Sequence, residues 1–170
     1  PKEPSKVFVF LSLLYRKDQV THQELREFFR EKFGQEIEWS HPFFPMKSYY
    51  AREMGEEKLL ERVFLVSQNL YERDLMVDLK YWAWEKEECF ARNNVRTLNI
   101  DVGMISLENL TLATGKNFIH RIYLGRGVFS DLTLIYQGNS FQTLPWSYPD
   151  YSHPEVIEFF NWMRHRLKVE

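Results

Sequence analysis

The sequence predicts an α+β fold in one domain covering residues 1–170. Three observations carry this. The hydrophobic period switches back and forth between two and about 3.6, helix-start boxes stand ahead of two helical stretches, and short apolar runs in the second half are separated by glycine turns.

Residues 7–15, VFVFLSLLY, are apolar at nearly every position and read as a buried strand. Thr21 and Glu24 form a capping box with Val20 and Leu25 as its hydrophobic staple, and Leu25, Phe28, Phe29 and Phe33 make an apolar face that Gly34 ends. EIEW is a short strand, HPFFPMKSYYAREMG (41–55) an aromatic connection closed by a glycine, and ERVFLVS (61–67) a buried strand. A second helix runs from about Leu75 to Ala91, with Leu75, Leu79, Trp82 and Phe90 near one face and Asn93-Asn94 past its end. VRTLNIDVG then alternates as a strand. This βαββαβ order is that of a ferredoxin-like unit, whose two helices cover one face of an antiparallel sheet and whose central neighbours here should be strands 7–15 and 62–67. Beyond Gly103, NLTLAT, IHRIYL, VFSDLTLIY and SFQTL read as an antiparallel β-meander through GKN, GRG and GN turns. Ser152 and Glu155 form a second capping box, and Val156, Phe159, Phe160, Met163 and Leu167 mark a closing helix.

With 22 Lys and Arg against 24 Asp and Glu, the formal net charge is −2, so no global excess of positive charge exists to hold a nucleic-acid backbone or an anionic membrane. Any anion site has to be local. The lone Cys89 excludes an intrachain disulfide and suits a reducing, cytoplasmic setting. No apolar run approaches the roughly 18 to 20 residues of a membrane helix, and the first apolar stretch lacks a small-residue cleavage pattern behind it.

The stretch LATGKNFIHRIYLGRG (112–127) concentrates the chemistry and reads as a hairpin carrying a site. TGKN is not a phosphate loop, because Leu110 stands where the Walker pattern needs glycine and Asn117 follows Lys116 where Ser or Thr is needed. GRG joins two strands rather than opening a helix and is a tight turn. Since side chains alternate, Leu98, Ile100, Leu110, Leu112, Ile122, Leu124, Leu132 and Leu134 can share the core face. Thr97, Asn99, Asp101, Thr111, Arg121, Tyr123, Asp131 and Thr133 would then share the other. That second face is either a solvated sheet surface with cross-strand pairs such as Arg121 with Asp131 or the floor of a polar binding site. His120 falls with Ile122 and Leu124 on the core side unless a bulge turns it over. The histidines show no zinc-site spacing, and Asp101 with Asp131 does not make a metal cage, so no metal is expected and no cofactor is named by the residues. Glu53 and Asp150, set in the aromatic stretches SYYAREMG and PWSYPDY, need a cationic partner, for which Arg121 and Lys116 are the candidates, or a shifted pKa, and so make either a structural ion pair or an acid or base.

In this order and spacing, YYAREMG, LNIDVG, LATGKNFIHRIYLGRGVFSDLTLIY and WSYPDY resemble the uncharacterised bacterial and archaeal family catalogued as domain of unknown function 4416. Tyr49, Tyr50, Glu53, Asn99, Asp101, Lys116, Asn117, His120, Arg121, Trp146, Tyr148 and Asp150 match its motifs. Val102 and Met104 stand where the family has Pro and Tyr, Asp131 where it has Glu, and Ala83-Trp84 where it has Thr-Asn. Some members carry a GTP-binding designation, yet the resemblance supplies no established activity.

Two functions of different class follow. One is a small-molecule site: Lys116, Asn117 and Arg121 hold a phosphorylated or otherwise anionic ligand, a nucleotide among the candidates, with Tyr50, Tyr123, Asp131, Tyr148 and Asp150 around it. Glu53, Asp101 or His120 would then handle a proton in hydrolase or transferase chemistry. The other is a noncatalytic protein–protein or RNA interaction module. RNA-recognition sheets stack bases on exposed aromatics, of which this face offers Tyr123 and Phe129, and the near-neutral charge speaks against nucleic acid. The oligomeric state is not legible.

Overall fold

The computed structural model describes residues 1–40, 47–55 and 57–169. Eight strands form one antiparallel sheet: β1 (Val7–Arg16), β2 (Glu36–Ser40), β3 (Leu60–Tyr71), β4 (Leu98–Ile105), β5 (Asn109–Thr114), β6 (Arg121–Gly125), β7 (Val128–Gln137) and β8 (Ser140–Thr143). The order is β2-β3-β1-β4-β5-β7-β6, with β8 also on β7. Among the described residues five α-helices accompany it: α1 (His22–Phe33), α2 (Lys47–Met54), α3 (Met76–Phe90), α4 (Pro149–Ser152) and α5 (Pro154–Val169).

As the continuous apolar runs require, β1 and β3 are neighbours inside the sheet. On one side Val9, Leu11 and Leu13 of β1, Val63 and Leu65 of β3 and Ile100 of β4 pack under α1 and α3. On the other, Phe8 and Phe10 meet Phe64, Val66 and, from α5, Phe160. Phe10 lies 5.1 Å from the Phe160 ring and 6.3 Å from that of Phe64. Farther along this second side, Leu14 and Leu60 pack with Met54 of α2. The helical cover there is thus in two pieces, α2 and α5, and the sheet between them carries polar residues.

At the start of α1, the Thr21 hydroxyl accepts from the Glu24 N–H and the Glu24 carboxylate accepts from the Thr21 N–H, both at 3.1 Å. Thr21→Ala is expected to cost about 1 kcal/mol, read as a fall in Tm of about 2–4 °C; an unchanged Tm would mean that the staple alone holds this end. Gly34, at φ 78°, ends the helix in the left-handed region.

Several expectations need correction. The HPFFPMKSYYAREMG stretch contains α2, a helix its aromatic density concealed; residues 41–46, His41 among them, lie outside the described residues. The closing helix begins at Pro154, and the acceptor for the Glu155 N–H is His153 Nδ1 at 3.2 Å, not Ser152. Proline in the first helical position makes the preceding residue the cap, and Ser152 instead ends α4. The C-terminal strands are not a sequential meander: β5 pairs with β7, and β6 lies on the far side of β7. LATGKNFIHRIYLGRG is therefore not a hairpin in itself, since its two strands do not pair. The hairpins are β6–β7 through Gly125, Arg126 and Gly127, and β7–β8 through Gly138 and Asn139, all with positive φ.

Parity does not sort all the leucines to one face. Because the sheet is covered on both sides, Leu98 and Ile100 belong to the α1–α3 side, whereas Leu110, Leu112 and Leu134 belong to the α5 side. In the β5–β7 ladder, Leu110 pairs with Leu134 and Thr111 with Leu132, which leaves Thr133 as an extra residue on β7. This bulge lets Asp131 share a side with Leu134. Ile122 and Leu124, assigned to the core by parity, are exposed.

Candidate functional site

In the β4–β5 ladder, only residues 103–105 of β4 have partners, residues 110–112 of β5. Asn99 and Asp101 of β4 and Thr114 of β5 lie beyond that pairing, and α3 is packed across the same two strands. A cleft of about 560 Å³ opens here, lined by Glu53, Lys80, Asn99, Asp101 and Lys116 together with Trp84, Arg96 and Tyr148. A smaller chamber of about 70 Å³ adjoins it. Tyr50, Lys80, Asp101, Thr114 and Tyr148 line both spaces, and Arg62, Asp131, Asp150 and Tyr151 line the chamber alone.

Most of the charges already have partners. Glu53 accepts from Arg96 at 2.9 Å. Arg96 also donates to Glu87 at 3.3 Å and to the Asn99 side-chain oxygen. Since a guanidinium only donates, that contact fixes the Asn99 amide, whose NH₂ then donates to Asp101 Oδ2 at 3.3 Å. Glu87 in turn accepts from the Ile100 N–H at 2.7 Å. Burial raises its pKa above the ordinary carboxylate value, although the Ile100 N–H and Arg96 pull the other way.

Asp131 sits in a similar web. It accepts from Arg121 Nε at 2.8 Å and from the Thr133 hydroxyl at 3.1 Å, and lies 2.9 Å from His120 Nε2. The rest of the Arg121 guanidinium is spent on the Lys116 carbonyl at 3.0 Å and the Tyr148 hydroxyl at 2.9 Å. Arg121 and Asp131 are the direct cross-strand pair that the register dictates. His120 stacks on Trp146, centroids 4.8 Å apart, and its side chain is buried behind Asp131.

Deeper still, Arg62 and Asp150 form an ion pair at 2.9 Å with both side chains almost fully buried. Arg62 also donates to the Ser12 hydroxyl and lies 5.9 Å from the Tyr50 ring. Burial disfavours the charged guanidinium, but the carboxylates of Asp150 and Asp101 outweigh it, so its pKa ends above the ordinary value. The phenols of Tyr50, Tyr148 and Tyr151 are all pushed up, first by burial. They therefore enter the site at neutral pH as O–H groups. Tyr148 accepts from Arg121, so its own proton is directed elsewhere.

Two ammonium groups are different. Lys80 is 6 % exposed, and among the described residues its Nζ has no hydrogen-bond or ion-pair partner; it lies 5.2 Å from the centre of the Trp84 ring. Lys116 is exposed at the rim of the cleft, and its ammonium likewise has no such partner among the described residues. Asp101 lines the same cleft and is the one carboxylate at this site without a cationic hydrogen-bond or ion-pair partner among the described residues.

The structure thus brings Glu53, Asp101, Lys116, Tyr50, Tyr148, Asp131 and Asp150 to one place, with Arg121 and His120 in the shell behind. Asn117 is exposed on the same loop and lines neither space, and Tyr123 lies apart, packed on Phe129 with its hydroxyl accepting from the Gly127 N–H. The partners expected for the carboxylates were wrong: Glu53 pairs with Arg96 and Asp150 with Arg62, both absent from the sequence reading. Lys80 was missed as well. Its signal was present, because Met76, Leu79, Lys80 and Ala83 are spaced as the buried stripe of a helix, and a lysine on such a stripe calls for an explanation. Among the described residues, no group of three or more His, Cys, Asp or Glu is arranged to hold a metal ion.

A family model described as Domain of unknown function (DUF4416) matches residues 5–167, nearly the whole chain. The chain belongs to the DUF4416 family. No curated protein and no solved structure matches it. In this DUF4416 member the segments that carry the likeness supply α2, the open end of β4, the β5–β6 connection and α4, which line the cleft or the chamber together with α3. No helix among the described residues is long and apolar enough to cross a membrane.

Proposed function

We propose that this protein binds a small phosphorylated or otherwise anionic ligand, a nucleotide being one candidate, in the cleft between α2, α3 and the open end of β4 and β5. The observation that carries the reading is the pair Lys80 and Lys116, which line the cleft with no carboxylate at ion-pair distance from either ammonium among the described residues. Glu53, Asp131 and Asp150 are neutralised by Arg96, Arg121 and Arg62, so a bound anion would compete with none of them. A buried ammonium without a counter-ion is costly, and a phosphate oxygen relieves that cost by charge-assisted hydrogen bonds. Asp101 is the group left to take a proton or orient a hydroxyl, the role a hydrolase or transferase would need. Arg121 serves here as a positioning residue, since each of its three nitrogens already donates, to Asp131, Lys116 and Tyr148.

The same reading takes the first half of the chain as a ferredoxin-like unit, supported by the order β2-β3-β1-β4 with every pairing antiparallel and α1 and α3 on one side. A cytoplasmic setting is proposed on the lone, exposed Cys89. A second reading, a protein interaction module, is favoured by one observation: β6 is the last strand of the sheet order, and Ile122, Tyr123 and Leu124 on it are exposed beside Phe118 and Ile119.

Thermal unfolding in the presence of nucleotides, sugar phosphates and inorganic phosphate tests the proposal. A ligand at one hundred times its Kd adds about 2.7 kcal/mol, a rise in Tm of roughly 5–10 °C for a chain of this size. Phosphorylated compounds should exceed their dephosphorylated forms, and the double variant Lys80→Met, Lys116→Ala should lose the difference while remaining folded. If the wild type ignores every phosphorylated compound at millimolar concentration, the anion-site reading fails and the interaction module takes its place.

A further inference from the structure

We infer that the ligand carries a vicinal diol, held by Asp101 with its hydroxyls in the inner chamber while its phosphate lies outward on Lys116; this rests on the anion-site reading above. The two spaces differ in size and in chemistry. At about 70 Å³ the chamber is less than half of a cavity of about 150 Å³ that takes a benzene ring, so it has room for a few water-sized groups only. It takes hydroxyls and excludes a base. Of its wall carboxylates Asp131 and Asp150 are already paired with Arg121 and Arg62, so a phosphate pushed inward would meet the unpaired charge of Asp101, whereas hydroxyl donors would find an acceptor there.

Among those three, Asp101 is the one free to accept. Asp131 and Asp150 are bound to Arg121 and Arg62. Among the described residues Asp101 receives a single side-chain donor, the Asn99 amide at 3.3 Å, and the chain Glu53–Arg96–Asn99 sets that amide's direction. A carboxylate offers about four lone-pair positions on two oxygens, and two adjacent hydroxyls span both oxygens as one hydroxyl does not. The Tyr148 phenol, which already accepts from Arg121, is left to donate to a diol oxygen. Lys80 is an independent mark of the same site: it is nine-tenths buried, lines both spaces and has no ion-pair partner among the described residues. From the boundary its ammonium reaches toward either the phosphate or a hydroxyl, and the outer cleft, at about 560 Å³, accepts whatever the diol phosphate is attached to.

A free pentose phosphate and a ribonucleotide share this chemistry. The experiment titrates the full chain with ribose 5-phosphate, 2-deoxyribose 5-phosphate, inorganic phosphate, and one ribonucleoside monophosphate with its 2′-deoxy form. Ribose 5-phosphate or the ribonucleotide, whichever is the source, should bind at least about tenfold tighter than its deoxy counterpart, as a site built around a hydroxyl requires. Asp101→Asn should reduce that ratio to near one while keeping the preference for phosphorylated compounds. Equal affinity of the hydroxylated and deoxy forms for the wild type overturns the diol inference and leaves the anion site standing. A tenfold ratio that survives in Asp101→Asn overturns the assignment to Asp101. Failure of all the phosphorylated compounds to bind removes the anion site and the diol inference together.

Discussion

Gly103→Ala is expected to destabilise the protein by about 3 kcal/mol or more, at or beyond the upper end of ordinary overpacking, and to lower Tm by about 6–12 °C. A Cβ at position 103 would lie 2.2 Å from two ring carbons of Phe10 and 2.7 Å from the carbonyl oxygen of Thr111. Neither can move cheaply. Phe10 is fully buried in the interior strand β1 and held by Phe64, Tyr151 and Phe160, and the Thr111 carbonyl belongs to the short β4–β5 ladder. The effect reaches the site as well, because Gly103 begins the residues that pair with β5 and so fixes where Asp101 leaves the ladder. Gly127→Ala is the control: its φ is 81° but nothing lies within 4 Å of an added Cβ, so it should cost backbone strain alone, about 1 kcal/mol. Thermal unfolding of the two variants side by side checks this. A Gly103→Ala protein as stable as Gly127→Ala would mean that the sheet centre yields where close packing says it cannot.

What could be read in advance follows from how local each signal is. The Thr21–Glu24 box involves residues three apart, and both of its hydrogen bonds are present. The apolar runs of β1 and β3 need burial on both faces, which only interior strands provide. Asp101 and Asp131 stood out because a carboxylate in an alternating strand has few reasons to be there. Their relation to the leucines failed, since parity says which residues of one strand share a side and says nothing between strands until the register is known. The bulge at Thr133 and the insertion of β7 between β5 and β6 are both matters of register. The cations were harder still. Arg62, Lys80 and Arg96 come from β3, α3 and the segment before β4, and no spacing in the chain announces that they meet at Asp101 and Asp150.

Arg62→Met is expected to cost about 3–5 kcal/mol, because it leaves the Asp150 carboxylate buried without its guanidinium. The pair sits where the chamber meets the aromatic core: Asp150 precedes Tyr151, whose ring stacks on Phe160, and Arg62 precedes Phe64 by two residues on the same side of β3. Little water reaches either group, so the loss is not relieved by solvation as it would be for the exposed Arg126–Asp78 pair. A second substitution separates the desolvation cost from the worth of the pair. Replacing both partners by apolar residues, as in Arg62→Met with Asp150→Leu, removes the stranded charge and should recover most of the lost stability. It should not recover ligand binding, since Arg62 is the cation that keeps Asp150 from repelling an anion and both side chains wall the chamber. Stability and binding would then part: the single variant unstable, the double variant stable and unable to shift with phosphorylated compounds. A double variant no more stable than Arg62→Met alone would show that the Ser12 hydrogen bond and the packing on Tyr50 hold this corner, rather than the charge pair.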